Sequence, residues 1–421
     1  MRAVLIKGES RYEALRVFME EIGEALAARG YEVDVIDAQT EPDLHGVLAQ
    51  AAAGRETSLV FTFSILGDYR DPDGRSLGQV FGAPHVVQYV DYPLTHWVAL
   101  DRTAPDTALL MIDESHVASV AAIYGAERFA HLGFSPHGAI GQVVAPAADP
   151  AAFVRERPIP ILFAGSFYEP RPPWWESQAP AIVSIFRRAA EIALAQDAAP
   201  ALSALDAALA EHGIDPTGPD VGEFRKLATH VHEHVRAHRR LQALTVAAEL
   251  GLPVHVYGRG FEHDRFPGFI YGGEADIGQV TRLMAQSRMV LNINANFGAG
   301  SHERPLMALL AGAAAASDVS SFYEAQFEPG VGLATYRWSR LEDDLGQIGR
   351  LARDPEALHA MAQAGQAQVA ARHRWAHRID AILAAAEAAF HTGKASSRVH
   401  DDVREWERPS DHAPVSADFA V

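Results

Sequence analysis

Gln286-Ser287-Arg288-Met289-Val290-Leu291-Asn292-Ile293-Asn294-Ala295-Asn296-Phe297-Gly298-Ala299-Gly300-Ser301-His302-Glu303-Arg304 runs on through Pro305-Leu306-Met307-Ala308-Leu309-Leu310-Ala311-Gly312 and closes at Ser317-Asp318. The apolar run Met289–Ile293 reads as a buried strand. An Asn- and Gly-rich loop follows, and a helix is predicted to begin near Ser301. A strand of small residues, Ala313–Ala316, then leads into Ser317-Asp318. Ligands in open α/β sheets lie at the carboxyl ends of strands, where this loop falls. Gly298 and Gly300 permit close backbone approach, and a new helix offers unpaired N–H groups and a positive dipole end. The stretch therefore predicts an anion site. A plainer reading stays open beside it, with Ser301 as an N-cap, Glu303 complementing the helix dipole and Arg304 paired to a surface carboxylate.

Strand and helix signals alternate on both sides. Upstream, Ile159–Ala164 and Val254–Tyr257 read as buried strands and Phe269–Tyr271 as a third. Between the first two lies an Ala-rich, almost wholly helical stretch, Glu176–Gly251, broken around Gly213–Asp220. The first 140 residues repeat the pattern, with strands expected at Arg2–Lys7, Glu32–Asp37, Ser58–Phe63, His85–Val90 and Ala108–Ile112. Helices are predicted at Tyr12–Ala28 and Ser115–Tyr124. Such alternation implies parallel, doubly wound sheets. At 421 residues the chain exceeds what one core usually serves. The expected division is a domain over 1–140, a linker over 141–158, a second domain over 159–372 with a helical insertion at 176–251, a helix over 373–390 and a disordered tail over 391–421.

Residues Glu303 to Gly312, closed by Ser317-Asp318, resemble the donor-binding element of GT-B glycosyltransferases. The resemblance is closest to the group similar to the spore-coat maturation protein CgeB, where an Arg-x-x-Glu-Ala-x-Ala-x-Gly pattern precedes a short strand ending in Thr/Ser-Asp. Ile161-Leu162-Phe163-Ala164-Gly165-Ser166 and Val256-Tyr257-Gly258 fit the same fold, and Ser135-Pro136-His137-Gly138 fits the turn before its linker. The resemblance implies two Rossmann-like domains, α/β in class, and a nucleoside-diphosphate-sugar donor as substrate with no separate cofactor. Donor binding would involve Gly165, Ser166, Arg259, Asn294, Gly300, Ser301, His302, Glu303 and Arg304. One departure is that the acidic residue expected to hold the donor ribose falls at Met307. Glu303, one turn earlier, is the first substitute; a different mode of holding the donor and a loss of donor binding are the others.

The resemblance implies an acceptor on the first domain, and an inverting enzyme needs a general base within reach of the acceptor hydroxyl. Asp91 and His96, in Val90-Asp91-Tyr92-Pro93-Leu94-Thr95-His96-Trp97 after the fourth strand, are the leading pair; Asp68 is next, then Asp113 and His116. Asp91 reads equally as a turn cap and His96 as a packed ring. Trp174-Trp175 reads as a packing anchor before a sugar platform. His230 and His234 are four apart on a predicted helix but lack the rest of a zincin pattern, and that helix is expected to lie far from the cleft. No metal site is expected.

Composition narrows the alternatives. Lys and Arg total 36 against 54 Asp and Glu, for a formal charge of −18. Nucleic-acid partners are not expected from that balance. With no cysteine, disulfides and thiol nucleophiles are excluded. No apolar segment approaches the ~20 residues of a membrane span, and Met1–Lys7 is too short for a signal peptide. A cytoplasmic, bacterial protein is expected. The acceptor stays open among protein, glycan, lipid-linked and small-molecule classes. A non-catalytic partner protein on the same fold and a nucleotide-sugar epimerase are the competing functions.

Overall fold

The structure is a computed structural model that describes residues 1–219, 221–261, 265–294 and 296–401. Its frame is two six-stranded parallel sheets. The first is built from β1 (Arg2–Lys7), β2 (Glu32–Asp37), β3 (Leu59–Phe63), β4 (His85–Tyr89), β5 (Thr107–Met111) and β6 (His131–Phe134), in the order β2-β1-β3-β4-β5-β6. The second comprises β7 (Ile159–Ala164), β8 (Val254–Tyr257), β9 (Ile270–Tyr271), β10 (Ser287–Leu291), β11 (Ala314–Asp318) and β12 (Ala334–Tyr336), in the order β12-β11-β10-β7-β8-β9. Central strands such as Ala3–Ile6 and Ile161–Phe163 are buried on both faces, as parallel strands covered by helices must be. Strand order reverses between β1 and β3 and again between β7 and β10, and each reversal opens a crevice at the carboxyl edge.

Six helices matter for the site: α1 (Ala14–Ala28), α2 (Pro180–Leu194), α3 (Ala201–Glu211), α4 (Ala228–Glu249), α5 (Glu303–Leu310) and α6 (Ile379–Asp401). The chain crosses from the first sheet to the second after β6 and returns with α6, which packs on β4, β5 and β6. The crossing points are clamped together. Arg378 donates to the carbonyls of Pro136 and His137, and a Cβ on Gly138 would lie 2.4 Å from the Trp375 backbone nitrogen. The helix expected over 373–390 continues to Asp401, so the first residues of the expected tail are helical. The remainder of that tail, 402–421, lies outside the described residues.

Helices α2, α3 and α4 share an apolar cluster with Tyr92 and Leu94 of the first domain. Arg225 donates to the Ala122 carbonyl at 2.9 Å, and Lys226 pairs with Asp101 at 2.7 Å. The helical stretch is therefore a strap from the second sheet onto the first, and its position corrects the expectation that it lies far from the cleft. Trp175 and Phe186 stack inside it, and His230 stacks on Trp174. Among the elements given no expected range are β6, β12 and a helix at Pro150–Glu156 within the expected linker, each too short to show a period.

Candidate active site

The second-domain wall of the cleft starts where β7 ends. Gly165 follows Ala164, and a Cβ there would lie 2.8 Å from Arg304 Nη1, so a side chain at this position would push that guanidinium aside. Arg304 donates to the Ala164 carbonyl at 2.7 Å. Its Nε and Nη2 lie 3.2 and 2.9 Å from the ring nitrogens of His302. Helix α4 adds Arg236 and Arg240, which its period places on one face. Arg240 donates to the Ser166 carbonyl at 2.7 Å, while its Nε is buried without a partner. Burial, with Arg236 and Arg304 nearby, pushes Arg240 down to about 9. Three guanidiniums thus crowd one wall, a cluster that a bound anion relieves.

Glu303 is the carboxylate within that cationic wall. Burial disfavours its charge, but His302, His137 and Arg304 outweigh burial and hold it well below the ordinary carboxylate range. His302 Nδ1 lies 2.5 Å from its carboxylate, and His137 Nε2 lies 3.8 Å away. Burial and Arg304 hold His302 down to about 4, so it faces Glu303 as a neutral ring at pH 7.

The first domain supplies the opposite wall. Asp91 follows β4 and is exposed to the cleft. His96 ends the short turn Pro93–His96 and is half-buried; burial lowers its pKa, and Asp91 opposes that. Tyr12 reaches across to Ser166, hydroxyl to hydroxyl, at 3.2 Å. Tyr12 and Glu13 sit at φ 63° and 65°, left-handed conformations that are strained for such residues and that bend the chain into the cleft. The outer cavity measures about 390 Å³. An inner chamber of about 170 Å³ adjoins it, with Asp91, Arg236, Arg240 and His302 on the shared wall and His96, His232 and Asn294 deeper in.

Asp91, His96, Gly165, Ser166, Asn294, His302, Glu303 and Arg304 therefore converge on one cleft. Other sequence candidates do not. Asp68 sits at the end of the Ser64–Asp68 turn, outside both cavities, where burial raises its pKa and Arg102 and Arg70 oppose. Arg259 is exposed and paired with Glu274 at 2.6 Å. Ser301 is fully buried, donates to Tyr323 and leaves α5 without a side-chain cap. Asn294 lines the inner chamber, but its Oδ1 accepts the His302 N–H at 3.0 Å, so it also shapes the loop. Arg236, Arg240, Tyr12 and His137 were missed. The only local signal for the two arginines was their four-residue spacing.

Gly300 corrects the reading of the glycine loop. Its backbone pairs with Asp113 of the first domain, and Ala299 N–H donates to the Asp113 carboxylate at 2.9 Å. A Cβ on Gly300 would lie 2.2 Å from the Ile112 carbonyl, and one on Gly298 would lie 2.8 Å from the Ala198 Cβ. These glycines admit neighbouring chain: the helical strap at Gly298 and the first domain at Gly300. Gly300→Val is expected to destabilise the protein by ~1–3 kcal/mol through overpacking at this joint. Urea unfolding measures it; an unchanged midpoint and slope would refute the tight joint.

Residues 236–384 match the family model described as glycosyl transferase-like. The matched segment covers 149 of the 421 residues. It begins at Arg236, the first guanidinium of the cleft, and takes in α5 with Glu303 and Arg304. Among solved structures, sucrose-phosphate synthase from Thermosynechococcus elongatus superposes with a TM-score of 0.50 at 12% identity, over 95% of this chain and 99% of that one. HepE of Anabaena, solved in complex with UDP-glucose, gives 0.48 at 13% identity, over 94% and 100% of the two chains. A Rickettsia africae glycosyltransferase gives 0.47 at 7%, over 92% and 98%. No curated protein sequence matches. The chain has the two-domain GT-B fold, and residues 236–384 contribute Arg236, Arg240, Glu303 and Arg304 to one wall of the cleft.

Proposed function

We propose that the protein transfers a sugar from a nucleoside-diphosphate-sugar donor to an acceptor hydroxyl or amine. The observation that carries this reading is the gathering of Arg236, Arg240 and Arg304 around the Gly165-Ser166 turn, facing Asp91 across one cleft. The diphosphate lies against the three guanidiniums, which are matched to phosphate oxygens. Glu303, ionised and fixed by His302, accepts hydrogen bonds from donor hydroxyls. Met307 is 1% exposed in the apolar core, so an acid there would face no donor, and Glu303 takes that part.

In the reaction, Asp91 takes the acceptor's proton as the acceptor atom bonds to the anomeric carbon. The bond from that carbon to the diphosphate breaks, and the nucleoside diphosphate leaves with its new charge on the arginines. A single displacement of this kind inverts the anomeric centre. Because the arginines receive the leaving charge, EDTA is expected to leave turnover unchanged; loss of activity restored by added Mg²⁺ would show that a metal shares that role. Assaying UDP-, GDP-, TDP- and CMP-sugars for binding and turnover tests the whole reading. At least one is expected to bind and be consumed, and a panel without any binder sinks it.

A further inference from the structure

His137 of the first domain approaches the Glu303 carboxylate to 3.8 Å. It comes from the Ser135-Pro136-His137-Gly138 turn that follows β6, and it is 2% exposed. Its place is tightly held. Phe18 and Trp375 meet its ring edge-on at 5.7 and 6.0 Å between centroids. Arg378 grips its carbonyl at 3.0 Å, and Gln88 donates to the Ser135 carbonyl two residues earlier at 2.7 Å. One ring nitrogen, Nδ1, is buried without a partner, while the other, Nε2, points at Glu303 from 3.8 Å. The His302 ring lies nearly parallel to it at 6.2 Å. Glu303 is thus bracketed by one histidine from each domain, and its side chain is 14% exposed.

We infer that His137 is a positioning residue. It holds the Glu303 carboxylate from the first domain so that the exposed oxygen faces the donor, which makes donor affinity depend on how the two domains are docked. The inference rests on the donor reading above, and adds to it a residue from outside the matched segment. A separation of 3.8 Å is just beyond a hydrogen bond, and such contacts in unliganded sites tighten when substrate arrives. A neutral His137 with its proton on Nε2 supplies the donor. Glu303 and Asp91 favour a charged ring, burial, His302 and Arg378 oppose it, and the balance holds His137 at about 4.

The test compares His137→Leu and His137→Gln in the full chain, using whichever sugar nucleotide of the four-base panel the unaltered protein consumes fastest. The leucine variant is expected to raise donor KM about tenfold, the worth of one hydrogen bond to a charged group, and to leave kcat within about threefold. Glutamine keeps an N–H at similar reach and is expected to recover most of the loss. A residue that merely fills space would give the reverse order, because leucine packs better than glutamine between Phe18 and Trp375. A donor KM unmoved by either variant overturns the inference. Crystal structures of the unaltered protein and His137→Leu supply a readout free of donor: Glu303 is expected to leave its place in the variant, and Glu303 standing unmoved overturns the inference too. Failure of the unaltered protein to bind any sugar nucleotide counts against the donor reading instead, and the position of Glu303 then decides the role of His137.

Discussion

Asp91→Asn is expected to lower kcat by about 10²- to 10⁴-fold, the range general-base catalysis contributes, while nucleotide affinity stays within about twofold. The asymmetry follows from place. Asp91 stands on the first-domain wall, facing the arginines across the cleft, and is exposed to the space between. Asparagine keeps its shape and loses the basic oxygen, so the ground state survives and proton removal does not. His96, deeper in the inner chamber, is the other base within reach. If His96→Gln produced the large kcat loss and Asp91→Asn did not, the base would be reassigned to the histidine. Parallel loss of kcat and donor affinity in Asp91→Asn would contradict a role confined to the acceptor.

Arg240→Ala is expected to weaken binding of a nucleoside diphosphate by ~10- to 10²-fold, and replacing Arg236 as well to extend the loss to ~10²- to 10⁴-fold. Each guanidinium offers charge-assisted hydrogen bonds to a phosphate in a partly enclosed cavity. The unliganded variant is expected to lose little stability. Burial of Arg240 beside Arg236 and Arg304 already lowers its pKa, so at pH 7 the fold bears the cost of keeping that charge. Weakened binding without a fall in melting temperature therefore separates a ligand site from a structural ion pair. Arg240→Lys restores the charge without the fork, and is expected to recover only part of the affinity. Isothermal titration with the nucleoside diphosphate measures all three, and equal affinity in the double variant would refute the phosphate seat.

Strands were the most legible elements. Expected and observed bounds coincide for β1 and β7, where nearly continuous apolar residues leave no other period, for β8, and for the largely unburied edge strand β2. Of the edge strands, β2 and β9 were legible and two were not: β6 carries a glycine and is only half-buried, and β12 has three residues. At the site, His302, Glu303 and Arg304 could be read because a strand, a loop and a helix start follow one another in sequence. Arg236 and Arg240 could not. They lie on a helix crowded with histidine and arginine, which reads as a solvated face, and what turns that face to the cleft is packing of the helical strap against Tyr92 and Leu94, more than a hundred residues away. Gly300 teaches the opposite lesson. A glycine pattern reports close approach without naming what approaches, and here it is the Ile112-Asp113 backbone. His137 likewise gains a partner only when the domains meet.

The most direct measurement is a crystal structure of the full chain soaked with the nucleoside diphosphate of whichever donor binds in the four-base panel. The phosphates should lie in the outer cavity within hydrogen-bond reach of Arg240, Arg304 and the Gly165-Ser166 turn, with Glu303 at a donor hydroxyl and Asp91 across an open gap. A nucleotide seated away from these arginines, or an empty cleft at saturating concentration, would contradict a donor site between the two sheets.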